Sequence, residues 1–100
     1  MNILHSATAG TLESSDAMVT VAPAENGIHL TLASPVIHQF GAQIKEVILE
    51  RLKALEVTNA EITVVDKGAL DCTIKARVEG AVFRAADVSQ ANIPWGGAVR

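Results

Sequence analysis

Between Ser34 and Leu55 the apolar residues Ile37, Phe40, Ile44, Val47, Ile48, Leu52 and Leu55 return at intervals of three and four, while Lys45, Glu46, Glu50 and Lys53 fill the surface between them. That period draws one apolar stripe along a helix. A stripe of this kind is stable only against a second layer, so the rest of the chain has to supply a sheet or further helices. Ser34-Pro35 gives the start signal, since a serine hydroxyl accepts an early backbone N–H and proline suits the first helical position. The spacing predicts a helix over 34–56. Gly41 interrupts it at a cost of about 1 kcal/mol relative to alanine, unless close packing needs its missing side chain.

The second layer reads as strands. Residues 8–13 carry a weak strand signal, and Met18, Thr20 and Ala22 alternate with Val19 and Val21. Ser14-Ser15-Asp16 would turn between them. Asn26-Gly27 tolerates positive φ and precedes Ile28, Leu30 and Leu32, which alternate with His29, Thr31 and Ala33, so a small antiparallel meander is expected. Residues 62–65 read as a short buried strand ended by Asp66-Lys67-Gly68. Residues 70–79 alternate like a strand, yet Leu70, Ile74, Val78, Ala81, Val82 and Ala85 also fit a helical stripe that outruns a usual strand. The longer pattern predicts a helix over 71–86, which sets Cys72 about 200° from Ile74 and leaves it the more accessible. The tail 89–100, with Pro94 and Gly96-Gly97, reads as irregular, with Ile93 and Trp95 as anchors. The expected fold is α+β, a small mainly antiparallel sheet packed against two helices, in a single domain over 1–100.

One hundred residues, 49% apolar and 19% charged, suit one globular core. No apolar run approaches the roughly 18 residues of a membrane span, so no membrane is expected. The net charge of -3 and the dispersed lysines and arginines offer no field for phosphates, which argues against nucleic acid. Cys72 is the only cysteine, excluding an intrachain disulfide and a multi-cysteine zinc motif. With no basic start or apolar core of a secretion signal in Met1-Asn2-Ile3-Leu4-His5, a cytoplasmic location is expected.

Candidate chemistry is sparse. His5, His29 and His38 are far apart and share no ligand spacing, so they read as ordinary surface or partly packed histidines. Cys72 has no thiolate-stabilising neighbours in sequence. Glu13, Asp16, Asp66 and Asp71 could form a carboxylate pair or metal cluster if their loops met, although solvated surface is the simpler reading. No catalytic residue and no metal ligand is assigned. The glycines match neither the phosphate loop nor the dinucleotide fingerprint. Ser14 and Ser15, by themselves, are turn residues.

Several separated segments nevertheless resemble one family. They are 9-AGTLESSD-16, the Val-rich strand ending in Ala22-Pro23, Gln39-Phe40-Gly41, 66-DKGALDC-72, Ala76-Arg77 and Ile93-Pro94-Trp95. In length and order the chain is similar to the acyl carrier protein, or gamma subunit, of citrate lyase. The resemblance implies that a serine in the first turn carries 2'-(5''-phosphoribosyl)-3'-dephospho-coenzyme A through a phosphodiester, and position after Leu12-Glu13 makes that serine Ser14. The family often has Ser-Gly-Asp here, so Ser15 stands in for a permissive turn residue and adds a second hydroxyl.

The same resemblance implies a noncatalytic subunit. Its arm would hold acetyl and citryl thioesters while an alpha subunit (acyl transferase) exchanges them and a beta subunit (citryl lyase) cleaves citrate to acetate and oxaloacetate. A prosthetic-group transferase would be a further partner. Glu13 and Asp16 are expected to repel the anionic arm locally, and the turn together with Asp66-Lys67-Gly68 to form the approach for partners. The alternatives are the acyl carrier subunit of malonate decarboxylase, whose architecture looks similar, and a noncatalytic scaffold of the same fold.

Overall fold

A computed structural model of the chain describes residues 1–87. In chain order it runs β1 (Ala7–Gly10), β2 (Ala17–Ala22), β3 (Ile28–Ala33), α1 (Ile37–Ala54), β4 (Ala60–Asp66) and α2 (Asp71–Ala85). The four strands form one mixed sheet in the order β1-β2-β4-β3, with β1/β2 and β2/β4 antiparallel and β3/β4 parallel. The expected α+β architecture is present, the sheet is mostly antiparallel, and 71–85 is helical. Cys72 is exposed and Ile74 buried, as the helical reading of that segment requires. Predicted residues 89–100, including Ile93 and Trp95, lie outside the described residues.

The meander is corrected. β2 and β3 do not pair with each other, because β4 lies between them and β3 reaches it through the α1 crossover. The physical reason is burial. β4 alternates Ala60, Ile62, Val64 and Asp66 inward, all buried, and β2 does the same with Ala17, Val19 and Val21, whereas the inward residues of β3 are only half-buried. The two strands with fully covered inner faces take the middle of the sheet, and β3 takes an edge. Gly27, at φ +83, therefore ends no two-residue hairpin. Its N–H donates to Asn59 Oδ1 at 2.7 Å and its carbonyl accepts from Ala60 at 3.1 Å, joining the start of β3 to the start of β4.

The helices cover the same inner sheet face. Register brings Val19 opposite Val64 and Val21 opposite Ile62, and these residues form one cluster with Ile44, Ile48 and Leu52 of α1 and Ile74, Val78, Val82 and Phe83 of α2. Phe40 departs from the expected stripe and stands 50% exposed at the start of α1. Gly41 is buried in α1, and a Cβ there would come 3.0 Å from the Cδ1 atom of Ile37, the mobile end of a side chain one turn back. Where the two helices cross, Arg51 Nη1 meets Glu79 Oε2 at 3.0 Å, an ion pair that neutralises a carboxylate inside the core.

The first helix starts later than expected, at Ile37, because Ser34 is drawn elsewhere. Its hydroxyl accepts the Val36 N–H at 3.2 Å and donates to Asp66 Oδ2 at 2.8 Å, so Pro35 sits in a turn closed by the Ile37 N–H to Ser34 carbonyl bond rather than in the helix. The far end closes in a Schellman motif, with Glu56 at φ +58, its N–H on the Lys53 carbonyl and the Val57 N–H on the Leu52 carbonyl. No helix among the described residues is long and apolar enough to cross a membrane.

At the C-terminal end of α2 the Leu4 and His5 N–H groups both donate to the Ala85 carbonyl, at 2.9 and 3.2 Å, and His5 Nε2 meets Asp87 Oδ1 at 2.7 Å. The Asp87 carboxylate, helped by the Ser6 carbonyl, raises the His5 pKa above its ordinary value. A raised folded value means that this contact stabilises the fold fully below the ordinary imidazole pKa of 6.5 and loses its contribution as pH rises through the folded value. An NMR titration is expected to place His5 above 6.5, and Asp87→Asn to bring it back toward that value.

Candidate functional site

Loop 11–16 joins β1 to β2 and carries both serines at its tip, each exposed. Ser15 holds the left-handed conformation at φ +67, which explains why glycine is the permissive choice at this position. The loop is tied at its base. Ser15 N–H donates to the Lys67 carbonyl at 2.8 Å, and Lys67 N–H donates to the Asp16 carbonyl at 2.9 Å. Two more rungs thus extend the β2/β4 ladder, and the serine turn and the Asp66-Lys67-Gly68 turn become neighbours.

Asp16 fixes the loop from below. Its Oδ1 accepts from Arg77 Nε at 2.9 Å and from the Ala17 N–H at 2.7 Å, and its Oδ2 accepts from Arg77 Nη2 at 2.9 Å and the Thr11 hydroxyl at 2.6 Å. Thr11 Oγ1 in turn accepts the Glu13 N–H at 3.2 Å. One carboxylate therefore ties both ends of the loop to the second helix, through the bidentate geometry that suits arginine. The Arg77 guanidinium, then Thr11 and the Ala17 amide, hold the Asp16 carboxyl well below the usual carboxylate range.

Asp16 is accordingly not the free anion expected to repel an arm, because Arg77 neutralises it. A depressed folded pKa means that its contribution to stability is complete above the unfolded carboxyl value of about 3.9 and is lost progressively as pH falls below it. Urea midpoints measured against pH are expected to separate the parent from Arg77→Gln at neutral pH and to draw together below about pH 4.

Buried Asp66 performs the matching task in the adjoining turn. Its Oδ1 accepts from the Gly68 and Ala69 N–H groups at 3.1 and 2.8 Å, while Oδ2 accepts from the Ser34 hydroxyl at 2.8 Å. Gly68 turns at φ +88, and the chain enters α2. The two acidic loops do meet, but the Asp16 and Asp66 carboxylates serve separate hydrogen-bond sets, and Glu13 and Asp71 are exposed. Among the described residues no three His, Cys, Asp or Glu side chains gather as a cation site. His29 and His38 are exposed on β3 and α1, and Cys72 in the first turn of α2.

The assembly presents two exposed serine hydroxyls on a braced loop, and of the two residues only Ser15 enters the bracing, through its backbone N–H. The hydrogen bonds that shape the loop use Thr11, Ser15 N–H, Asp16, Lys67 and Arg77, so a group attached at Ser14 would leave them standing. The family described as Malonate decarboxylase delta subunit (MdcD) matches residues 4–85. A protein named citrate lyase acyl carrier protein from Vibrio cholerae is 53% identical over 96 residues, covering 95% of this chain and 96% of that one. The chain belongs to the citrate lyase acyl carrier protein family. A Streptococcus uberis protein of that name is 54% identical over 92 residues, covering 92% of this chain and 91% of that one, and one from Rhodopseudomonas palustris is 51% identical over 87 residues, covering 87% and 90%. Membership makes the chain an acyl carrier and implies a covalently attached prosthetic group, for which an exposed hydroxyl on a braced loop is a fitting anchor.

Sequence reasoning missed Arg77 and Thr11 as parts of the site. Arg77 lies 61 residues from Asp16, and only its place in the Ala76-Arg77 resemblance hinted at a role.

Proposed function

We propose that the chain is the acyl carrier subunit of citrate lyase and bears 2'-(5''-phosphoribosyl)-3'-dephospho-coenzyme A on Ser14. The observation that carries this reading is the exposed Ser14 on a loop braced entirely by its neighbours, in a chain more than half identical to carriers of that name. When bound, the arm supplies a thiol that holds acetyl or citryl as a thioester, whose carbonyl eases developing negative charge on the next carbon better than a free carboxylate would. The chain's own part is mechanical. Asp16, Arg77 and Thr11 hold the loop so that a transferase meets the hydroxyl in one register, and the tether keeps the acyl group at high effective concentration for partner subunits. Catalytic groups belong to those partners, the alpha (acyl transferase) and beta (citryl lyase) subunits, in the cytoplasm.

Intact mass after coexpression with the prosthetic-group synthase and transferase tests the carrier reading, and an unmodified chain would count against it. The family match to the malonate decarboxylase delta subunit supports a second reading, a malonate decarboxylase carrier. Reconstitution of the modified chain with either set of partner subunits separates the two.

A further inference from the structure

A cleft of about 340 Å³ lies between the start of α1 and the turn that leads into α2. Val36, Phe40, Ile44 and Ala69 give it an apolar wall, Gln43 contributes an amide, and Asp66 and Asp71 contribute carboxylates, the first already hydrogen-bonded to Ser34, Gly68 and Ala69. Phe40 belongs by its spacing to the core stripe, yet it stays half exposed at this cleft, and Leu70, 72% exposed, follows Ala69 in the chain. The half-exposed Phe40 ring thus adds apolar surface to the cleft wall. Gly68, which also lines the cleft, follows Lys67, the residue hydrogen-bonded to Ser15. Two chain steps and one ladder spacing put Ser14 within about 12 Å of Gly68.

We propose that this cleft shelters the uncharged distal part of the arm when it ends in acetyl, and releases it when it ends in citryl. The inference rests on the carrier reading with the arm on Ser14. Its occupant follows from tethering and from chemistry. An arm rooted beside the cleft is present there at millimolar effective concentration, so even a weak site fills. The volume suits a small-molecule segment. The apolar wall accepts methyl and methylene groups, and the Gln43 amide, with a donor and an acceptor, matches the amides of a pantetheine chain. The positive end of the α2 dipole already has Asp71 in its first turn, so the free carboxylates of a citryl group meet a like charge where the acetyl methyl does not.

The test is a comparison of amide and methyl NMR shifts in apo, acetylated and citrylated protein, each verified by intact mass. Acetylation is expected to move Phe40, Gln43, Ile44 and Ala69 signals, and citrylation to return them to their apo positions. For a millimolar site filled about halfway, hydroxylamine should cleave the acetyl thioester about twofold more slowly than in Phe40→Ser, which loses the cleft shifts while keeping the arm. Gln43→Trp, an exposed helix position that fills the cleft from outside, gives the same readout should Phe40→Ser fail to fold. Shift changes confined to residues 11–17 and 67 in a chain that carries the arm would overturn the cleft proposal alone. A chain that never takes up the arm would overturn the carrier reading with it.

Discussion

Ser14→Ala is expected to fold like the parent, with stability changed by no more than about 0.5 kcal/mol, and to take up no prosthetic group at all. The small effect on folding follows from exposure, and from a loop shaped by the side chains of Thr11, Asp16 and Arg77. The total effect on loading follows from chemistry, since the proposed phosphodiester is made through this oxygen. Ser15 offers a hydroxyl one residue away, but its backbone is held at φ +67 and its N–H is committed to Lys67. A transferase that reads the braced register is expected to distinguish the Ser15 position from Ser14 on that ground. Ser15→Ala is expected to keep both fold and loading. Peptide mass mapping after coexpression decides between them: a group on Ser15, or full loading of Ser14→Ala, would reassign the anchor.

How far such a site could be read without coordinates depends on the range of the interactions. The α1 stripe was legible because helical neighbours are three and four residues apart, and the choice of helix over strand at 71–85 was legible because the pattern outran a strand. Alternation also separated Val19 and Val21 from Met18, Thr20 and Ala22, and the two valines are the buried set. It did not say which strand is whose neighbour, and the meander failed there, since period two is the same for β3 beside β2 or beside β4. Phe40 failed for a related reason: periodicity places it on the stripe but does not say whether anything covers the start of the helix, where it stands 50% exposed. Ser14 as anchor came from the resemblance, not from any property of a serine in a turn. The brace of Asp16 by Arg77 was invisible because no spacing rule links residues on different elements.

Gly10→Ala is expected to cost about 3 kcal/mol, far more than the same change at the other turn glycines. Gly10 closes β1 at φ +95, opposite Met18, and a Cβ built there would lie 1.9 Å from the Ala17 carbonyl oxygen and 3.0 Å from the Arg77 Cδ atom. The first clash is with backbone and cannot be relieved by a rotamer change. The second obstructs the arginine whose guanidinium braces Asp16. Strain from positive φ contributes about 1–2 kcal/mol and the overlap a similar amount. Gly27 and Gly68 have φ of +83 and +88 but nothing within 4 Å of an added Cβ, so alanine there carries the conformational cost alone. With a urea dependence of about 1–3 kcal/mol per molar for a small domain, Gly10→Ala should lower the midpoint by at least about 1 M, and by more than either control. Because Gly10 is also where β1 hands over to the serine loop, the folded fraction of this variant is expected to load more slowly than the Gly27→Ala protein at equal concentration. A midpoint shift no larger than that of Gly68→Ala would mean that the strand end moves aside freely and that the close approach to Ala17 does not hold the loop.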